Sequence, residues 1–165
     1  MHVYLTTGTF DFLKRIESKY PNEVMVTMVN ENGALLLHET IGGTAFKEPR
    51  RYEVLESIGE IQKEGFAVMN NIPVKDEGRP LFEHQFKNQV QNIENEPGLI
   101  AFRLLRPLSS NTYVILTVWE NEAYHQKWKK SDTFFEADKI KGTSINTQQN
   151  IFASAPYVSK YSITK

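Results

Sequence analysis

The stretch from Thr112 to Asp138, TYVILTVWENEAYHQKWKKSDTFFEAD, constrains this chain more than any other. Thr112 to Glu120 is an apolar run suited to a buried strand, closed by Trp119. It passes through one capping residue, Asn121, straight into an amphipathic helix. A break at Ser131 precedes a second short helix, which Ser131 or Asp132 can cap. A helix fed directly from a buried strand folds back over a sheet, and the rest of the chain is expected to supply that sheet.

The neighbouring segments fit this expectation. Phe66 to Val74 reads as a strand, and Arg79-Pro80 opens a helix, with proline suited to the first turn. The stripe of that helix is Phe82, Phe86, Val90 and Ile93, and Pro97-Gly98 ends the segment. Leu99 to Leu105 pairs with Thr112 to Glu120 around LSSN. A polar loop from Gly142 to Gln149 leads to one or two closing strands between Ile151 and Thr164. The order β-α-β-β-α-β is the ferredoxin-like split βαβ.

The first half repeats this in shorter form. His2 to Thr6 is a strand, and Gly8-Thr9 opens a helix carrying Phe10, Leu13, Ile16 and Tyr20. Val24 to Val29 and Ala34 to Thr40 form a hairpin around Asn30 to Gly33. After Gly42-Gly43, a short helix is expected from Arg51 to Ile58, with Tyr52, Leu55 and Ile58 on one side and no clear closing strand. NGALLLHET and NTYVILTVWE take the same place in each half. The polar connection Gly59 to Gly65 separates a truncated half, residues 1–63, from a complete one, residues 64–165. The expected fold is α+β: a tandem ferredoxin-like chain of the dimeric α/β-barrel type, whose two sheets close a β-barrel. One chain would then build what a shorter protein builds by pairing, so a monomer is expected, with a dimer as the alternative.

With 40% apolar and 24% charged residues, the 165-residue chain has the composition of a soluble globular protein. A net charge of −1 gives no electrostatic reason to expect nucleic acid or an anionic membrane as partner. No window approaches a membrane span or a secretory leader, so a cytoplasmic address is the expectation. The absence of cysteine removes disulfides, thiolate metal sites and a cysteine nucleophile.

Asn70 is the position that alternation singles out. Phe66, Val68, Asn70, Ile72 and Val74 share one strand face, while Asn71 goes to the other with Met69 and Pro73. A carboxamide in an apolar row must bond either to neighbouring backbone or to something in a pocket, since burial without a partner costs about 1–3 kcal/mol. Trp128 stands beside Tyr124 on the helix, as core or as a pocket wall. Asp138 shares a stripe with Phe134, at a spacing that leaves Glu136 and Lys139 to solvent. The histidines lack ligand spacing: His84 faces solvent, His2 is terminal, His125 is off the Tyr124/Trp128 line, and His38 is a core or rim residue. There is no GxSxG, P-loop or GxGxxG.

LTVWENEAYHQKWKKSDTFFEAD and FAVMNNIPV resemble segments of the IsdG-type haem-degrading monooxygenases, in the antibiotic biosynthesis monooxygenase superfamily. GTFDFL, YEVLESIGE, NEPG, LLRPL and IFASAPYVSKY extend the similarity over essentially the whole chain, matching longer Bacillus members with a truncated first half. The staphylococcal TRAP signalling proteins share the YEV and IGE pieces and the RLLRP strand. The resemblance implies haem as both substrate and cofactor, O2, an external electron donor such as a reductase, and oxidative opening of the porphyrin with release of iron. It places the family's asparagine, a donor toward iron-bound oxygen, on Asn70, and its porphyrin-distorting tryptophan on Trp128. Phe134 falls beside the haem, and the family's iron-ligating histidine falls on Asp138. Aspartate is a hard oxygen ligand, so this departure leaves three outcomes: Asp138 holds the iron, another residue such as His125 does, or activity is lost. The alternatives are a haem-binding or regulatory protein of the TRAP type and a cofactor-free monooxygenase acting on an aromatic substrate.

Overall fold

A computed structural model of the chain describes residues 1–87, 90–131 and 151–164. Eight strands are described: β1 (His2–Gly8), β2 (Val24–Asn30), β3 (Gly33–Thr40), β4 (Arg50–Gly59), β5 (Gly65–Pro73), β6 (Leu99–Pro107), β7 (Thr112–Trp119) and β8 (Tyr157–Thr164). Three helices accompany them: α1 (Phe10–Lys19), α2 (Arg79–Lys87) and α3 (Glu122–Lys129). The strands form a closed barrel in the order β1-β3-β2-β8-β5-β7-β6-β4, with β4 returning to β1. This antiparallel ferredoxin-type arrangement places β4-β1-β3-β2 and β8-β5-β7-β6 as two quartets joined at β2–β8 and β4–β6.

Alternation sorts the apolar residues into a lumen and two outer layers. The lumen holds Leu35 and Leu37 of β3, Met69 of β5, Leu105 of β6 and Leu116 of β7. The first outer layer lies under α1, where Leu13 packs on Met25 and Leu36. The second, under α2 and α3, contains Val68, Ile72, Phe82, Phe86, Ile115, Trp119 and Trp128. Phe10 and Tyr20 of the expected α1 stripe are 40% and 39% exposed, so Leu13 carries the packing of that helix.

The expected helix from Arg51 to Ile58 is instead the strand β4, and it supplies the closing strand of the first quartet. A β-bulge explains the disguise. Val54 pairs with Leu105 but Glu56 pairs with Leu104, so one extra residue shifts the strand's phase at Leu55. Tyr52 and Val54 therefore fill the lumen, whereas Leu55 and Ile58 pack against the second outer layer. The resulting spacing of three mimics a helix. After β4, Gly59 has a φ of +68°, and a Cβ there would lie 2.1 Å from the carbonyl oxygen of Ile100. At the other chain end, the expected strand or strands reduce to β8 plus an isolated bridge between Val74 and Phe152.

Two charges are buried inside the barrel. Glu39 follows Leu37 on the inner face of β3, and Arg103 lies between Ala101 and Leu105 on the inner face of β6. Arg103 Nε donates to Glu39 Oε2 at 2.6 Å and Nη2 to Oε1 at 3.2 Å. Arg103 Nη1 donates to the carbonyls of Ile58 and Phe102 at 2.9 and 2.8 Å, so the guanidinium is almost fully bonded.

Candidate functional site

The second outer layer is where the singled-out residues gather. On β5, Asn70 faces outward between Val68 and Ile72, opposite Ile115 of β7 and Val158 of β8. It is half-buried, and no described residue hydrogen-bonds its side chain. Asn71 points into the barrel, where its Nδ2 donates to Met69 O, Tyr157 O and Ser159 Oγ at 3.2–3.3 Å. The two adjacent carboxamides thus differ in kind: one is a satisfied part of the barrel and the other is open. Of the two readings of Asn70, the bond to neighbouring backbone is not seen among the described residues.

Side-chain hydrogen bonds fix the helices above this face. Asn121 Oδ1 accepts from Tyr124 N at 3.3 Å and caps α3, while Ser131 Oγ donates to Trp128 O at 2.7 Å at its far end. Gly98, at φ +81°, lets the Tyr124 ring lie where a Cβ would come within 2.1 Å of it. For α2, Glu83 takes Arg106 Nε and Nη2 at 2.9 and 2.6 Å and the Tyr113 hydroxyl as well. The Arg106 hydrogen bonds hold the Glu83 carboxyl below its usual range, and burial raises the Tyr113 hydroxyl.

Trp128 is 1% exposed, and its ring lies 5.4 Å from that of Trp119. His125, expected off this line, belongs to the same cluster. Residues three apart share a helix face, and the imidazole is 2% exposed, 5.8 Å from Trp119, 6.1 Å from Trp128 and 6.2 Å from Phe66. Its i, i+3 spacing from Trp128 is the signal that could have placed it. Burial, together with the charges of Lys160 and Lys129, lowers its pKa to about 4, so it is neutral at physiological pH.

Three buried polar atoms of this layer, Thr117 Oγ1, Trp119 Nε1 and His125 Nδ1, have no hydrogen-bond partner among the described residues. Each such group costs about 1–3 kcal/mol when left dry and unbonded. Phe134 and Asp138 lie outside the described residues. A cavity of about 950 Å³ opens at the end of the barrel beside Phe66, Leu99 and Asn121. Asn70 and Trp128 do not line it. Phe66 is its shared wall with the cage around His125.

This geometry offers a broad apolar and aromatic floor with a few unsatisfied polar atoms, which suits a flat hydrophobic ligand carrying polar centres. The antibiotic biosynthesis monooxygenase model matches residues 65–139, the segment that carries this floor. Along 138 residues the chain is 30% identical to a haem-degrading monooxygenase of Listeria monocytogenes, covering 84% of this chain and 83% of that protein. The chain belongs to the antibiotic biosynthesis monooxygenase family. It is also 26% identical over 136 residues to the signal transduction protein TRAP of Staphylococcus epidermidis, covering 82% and 81% of the two chains. In fold, this family member is similar to a major regulator of staphylococcal pathogenesis, with a TM-score of 0.84 at 24% identity over 99% of this chain and 98% of that one. Among the described residues, no helix is long and apolar enough to cross a membrane.

Proposed function

We propose that this protein binds haem on the outer face of β5 and β7 and oxidatively opens the porphyrin ring with release of iron. The observation that carries the proposal is Asn70: a half-buried carboxamide in an apolar row, without a protein partner among the described residues. The unbonded Thr117, Trp119 and His125 atoms on the same layer agree with a ligand that brings its own polar groups.

Bound haem would supply the iron at which O2 and electrons from an external donor, a cytoplasmic reductase or a small reductant, are brought together. Asn70 would supply an N–H donor to the bound haem's ligand side and help to orient what binds there. Trp128, backed by Trp119, would form one rigid wall of the haem site. By resemblance, Phe134 and Asp138 would stand beside the haem, with Asp138 at the family's iron-ligand position. Residues 1–63 act as a truncated partner half and residues 64–165 as the working half, so a monomer suffices.

Hemin titration tests this directly. Saturable binding with a shifted Soret band is expected, followed by bleaching of that band when ascorbate or a reductase is added. No saturable binding sinks the proposal. A second function is favoured by one residue, Asp138, in the histidine position: a haem-binding or regulatory module of the TRAP type without turnover. Ring opening that Asn70→Ala abolishes would exclude it.

A further inference from the structure

On the outer face of β5, β7 and β8, one described side chain is charged. Lys160 pairs with Val68 across β5 and β8, so it shares the face of Asn70, whose own partner on β8 is Val158. The neighbours of Lys160 along β8 on this face, Val158 and Ser162, are uncharged, and so is every described residue of β5 and β7 that faces outward. The fold draws little from this cation. Among the described residues, the ion-pair partner of Lys160 Nζ is Glu122 Oε2 at 3.8 Å, and the two side chains are 38% and 55% exposed. An exposed pair of that length contributes little to stability. The flexible lysine stem lets the ammonium leave Glu122 for a nearer anion.

We propose that Lys160 is the carboxylate anchor of this face, pairing with a propionate of the porphyrin and so fixing which edge of the ring lies toward the barrel end. The proposal rests on the haem-binding function above. A porphyrin is apolar over its ring and carries its carboxylates along one edge, and a carboxylate brought against an apolar face without a partner is costly. The open part of the face lies on the side of Lys160. Val68 and Thr117 are fully buried, which closes the face near the aromatic cage, whereas Asn70 is half-buried and Val158 is 54% exposed. Asn70 and Lys160 are diagonal neighbours across an antiparallel pair, roughly 7–8 Å apart. A ring set against Asn70 and Val158 therefore brings its edge within reach of the ammonium. Beyond Lys160, the barrel-end cavity is lined by Glu64, Glu120 and Glu122, which repel a carboxylate and stop the edge at Lys160.

Equilibrium titrations with hemin and with hemin dimethyl ester, which keeps the iron and ring but lacks the charges, read the anchor. The wild type is expected to bind hemin about tenfold tighter than the ester, the scale of one charge-assisted hydrogen bond at a half-exposed site. Lys160→Met should abolish that preference by weakening hemin alone, and Lys160→Arg should keep it. Should these variants fold poorly, the wild type still decides the matter. Gallium protoporphyrin, which is diamagnetic, should shift the ¹³Cε resonance of Lys160, and its dimethyl ester should not. A wild type that binds hemin and ester alike, a preference that survives Lys160→Met, or an unmoved Lys160 resonance overturns the anchor while leaving haem binding intact. Wild-type protein that takes up no hemin overturns both.

Discussion

The two quartets share a strand order and differ in how their outer polar groups are satisfied. Under α1, Glu17 is 6% exposed but accepts from Thr27 N at 2.9 Å and Thr27 Oγ1 at 2.8 Å, with Lys14 Nζ at 3.2 Å. His38 is bonded through both nitrogens. Under α2 and α3, Thr117, Trp119 and His125 each keep a buried polar atom unbonded, and among the described residues no such atom occurs before residue 64. Saturation marks the first outer layer as scaffold, because polar groups that are already paired have nothing to offer a ligand. Unmet valence in the second layer leaves groups there that can still bond a ligand.

The largest expected effect falls on the element common to both quartets, the lumen pair of Glu39 and Arg103. Removing one member, as in Arg103→Ala, strands a charge in the barrel and should lower unfolding free energy by about 3–5 kcal/mol in urea titration. The double substitution Glu39→Leu with Arg103→Met should cost far less. The contrast itself is sharpened by a crossed pair of variants. Glu17→Ala should destabilise the fold by roughly 1–3 kcal/mol and leave the hemin spectrum unchanged. Asn70→Ala should barely move the melting temperature, yet slow ring opening by roughly 10²–10³-fold, the usual consequence of losing one oriented donor. Equal stability losses from the two would break the comparison.

Acidity gives a smaller, signed effect. His125 resists protonation until about pH 4 in the fold, against 6.5 for an ordinary imidazole. The unfolded chain therefore takes up this proton first as pH falls. Stability contributed by the neutral ring is complete above about 6.5 and is lost progressively down to about 4. Thermal melts of His125→Phe across this window should show a shallower acid slope than the wild type. The smallest effect is expected at the cap of α3, where Asn121→Ala should cost about 1 kcal/mol in the same melts.

Much of this was written locally in the chain. The β2–β3 hairpin, the start of α1 after Gly8-Thr9, the Asn121 cap of α3, the Arg79-Pro80 helix start and the outward face of Asn70 follow from turn chemistry and alternation. Strand β4 did not, because its bulge at Leu55 replaces a period of two with an apparent period of three. Long-range features leave no local trace. Glu39 and Arg103 are 64 residues apart in the chain, and the Asn70 face is read correctly without revealing which neighbours fail to bond it. His125 was missed through the helix phase, although its spacing from Trp128 carried the information.

A barrel closed within one chain also changes what a substitution can do. When two identical subunits complete a barrel, every replacement occurs twice, once on each side of the two-fold axis, and must suit both. Here each of the eight strands occurs once. The β4 bulge and the Glu17 latch could arise on one side without a mirrored copy disturbing the pocket on the other. Joining both quartets in one polypeptide frees one side to stiffen while the other stays unsaturated.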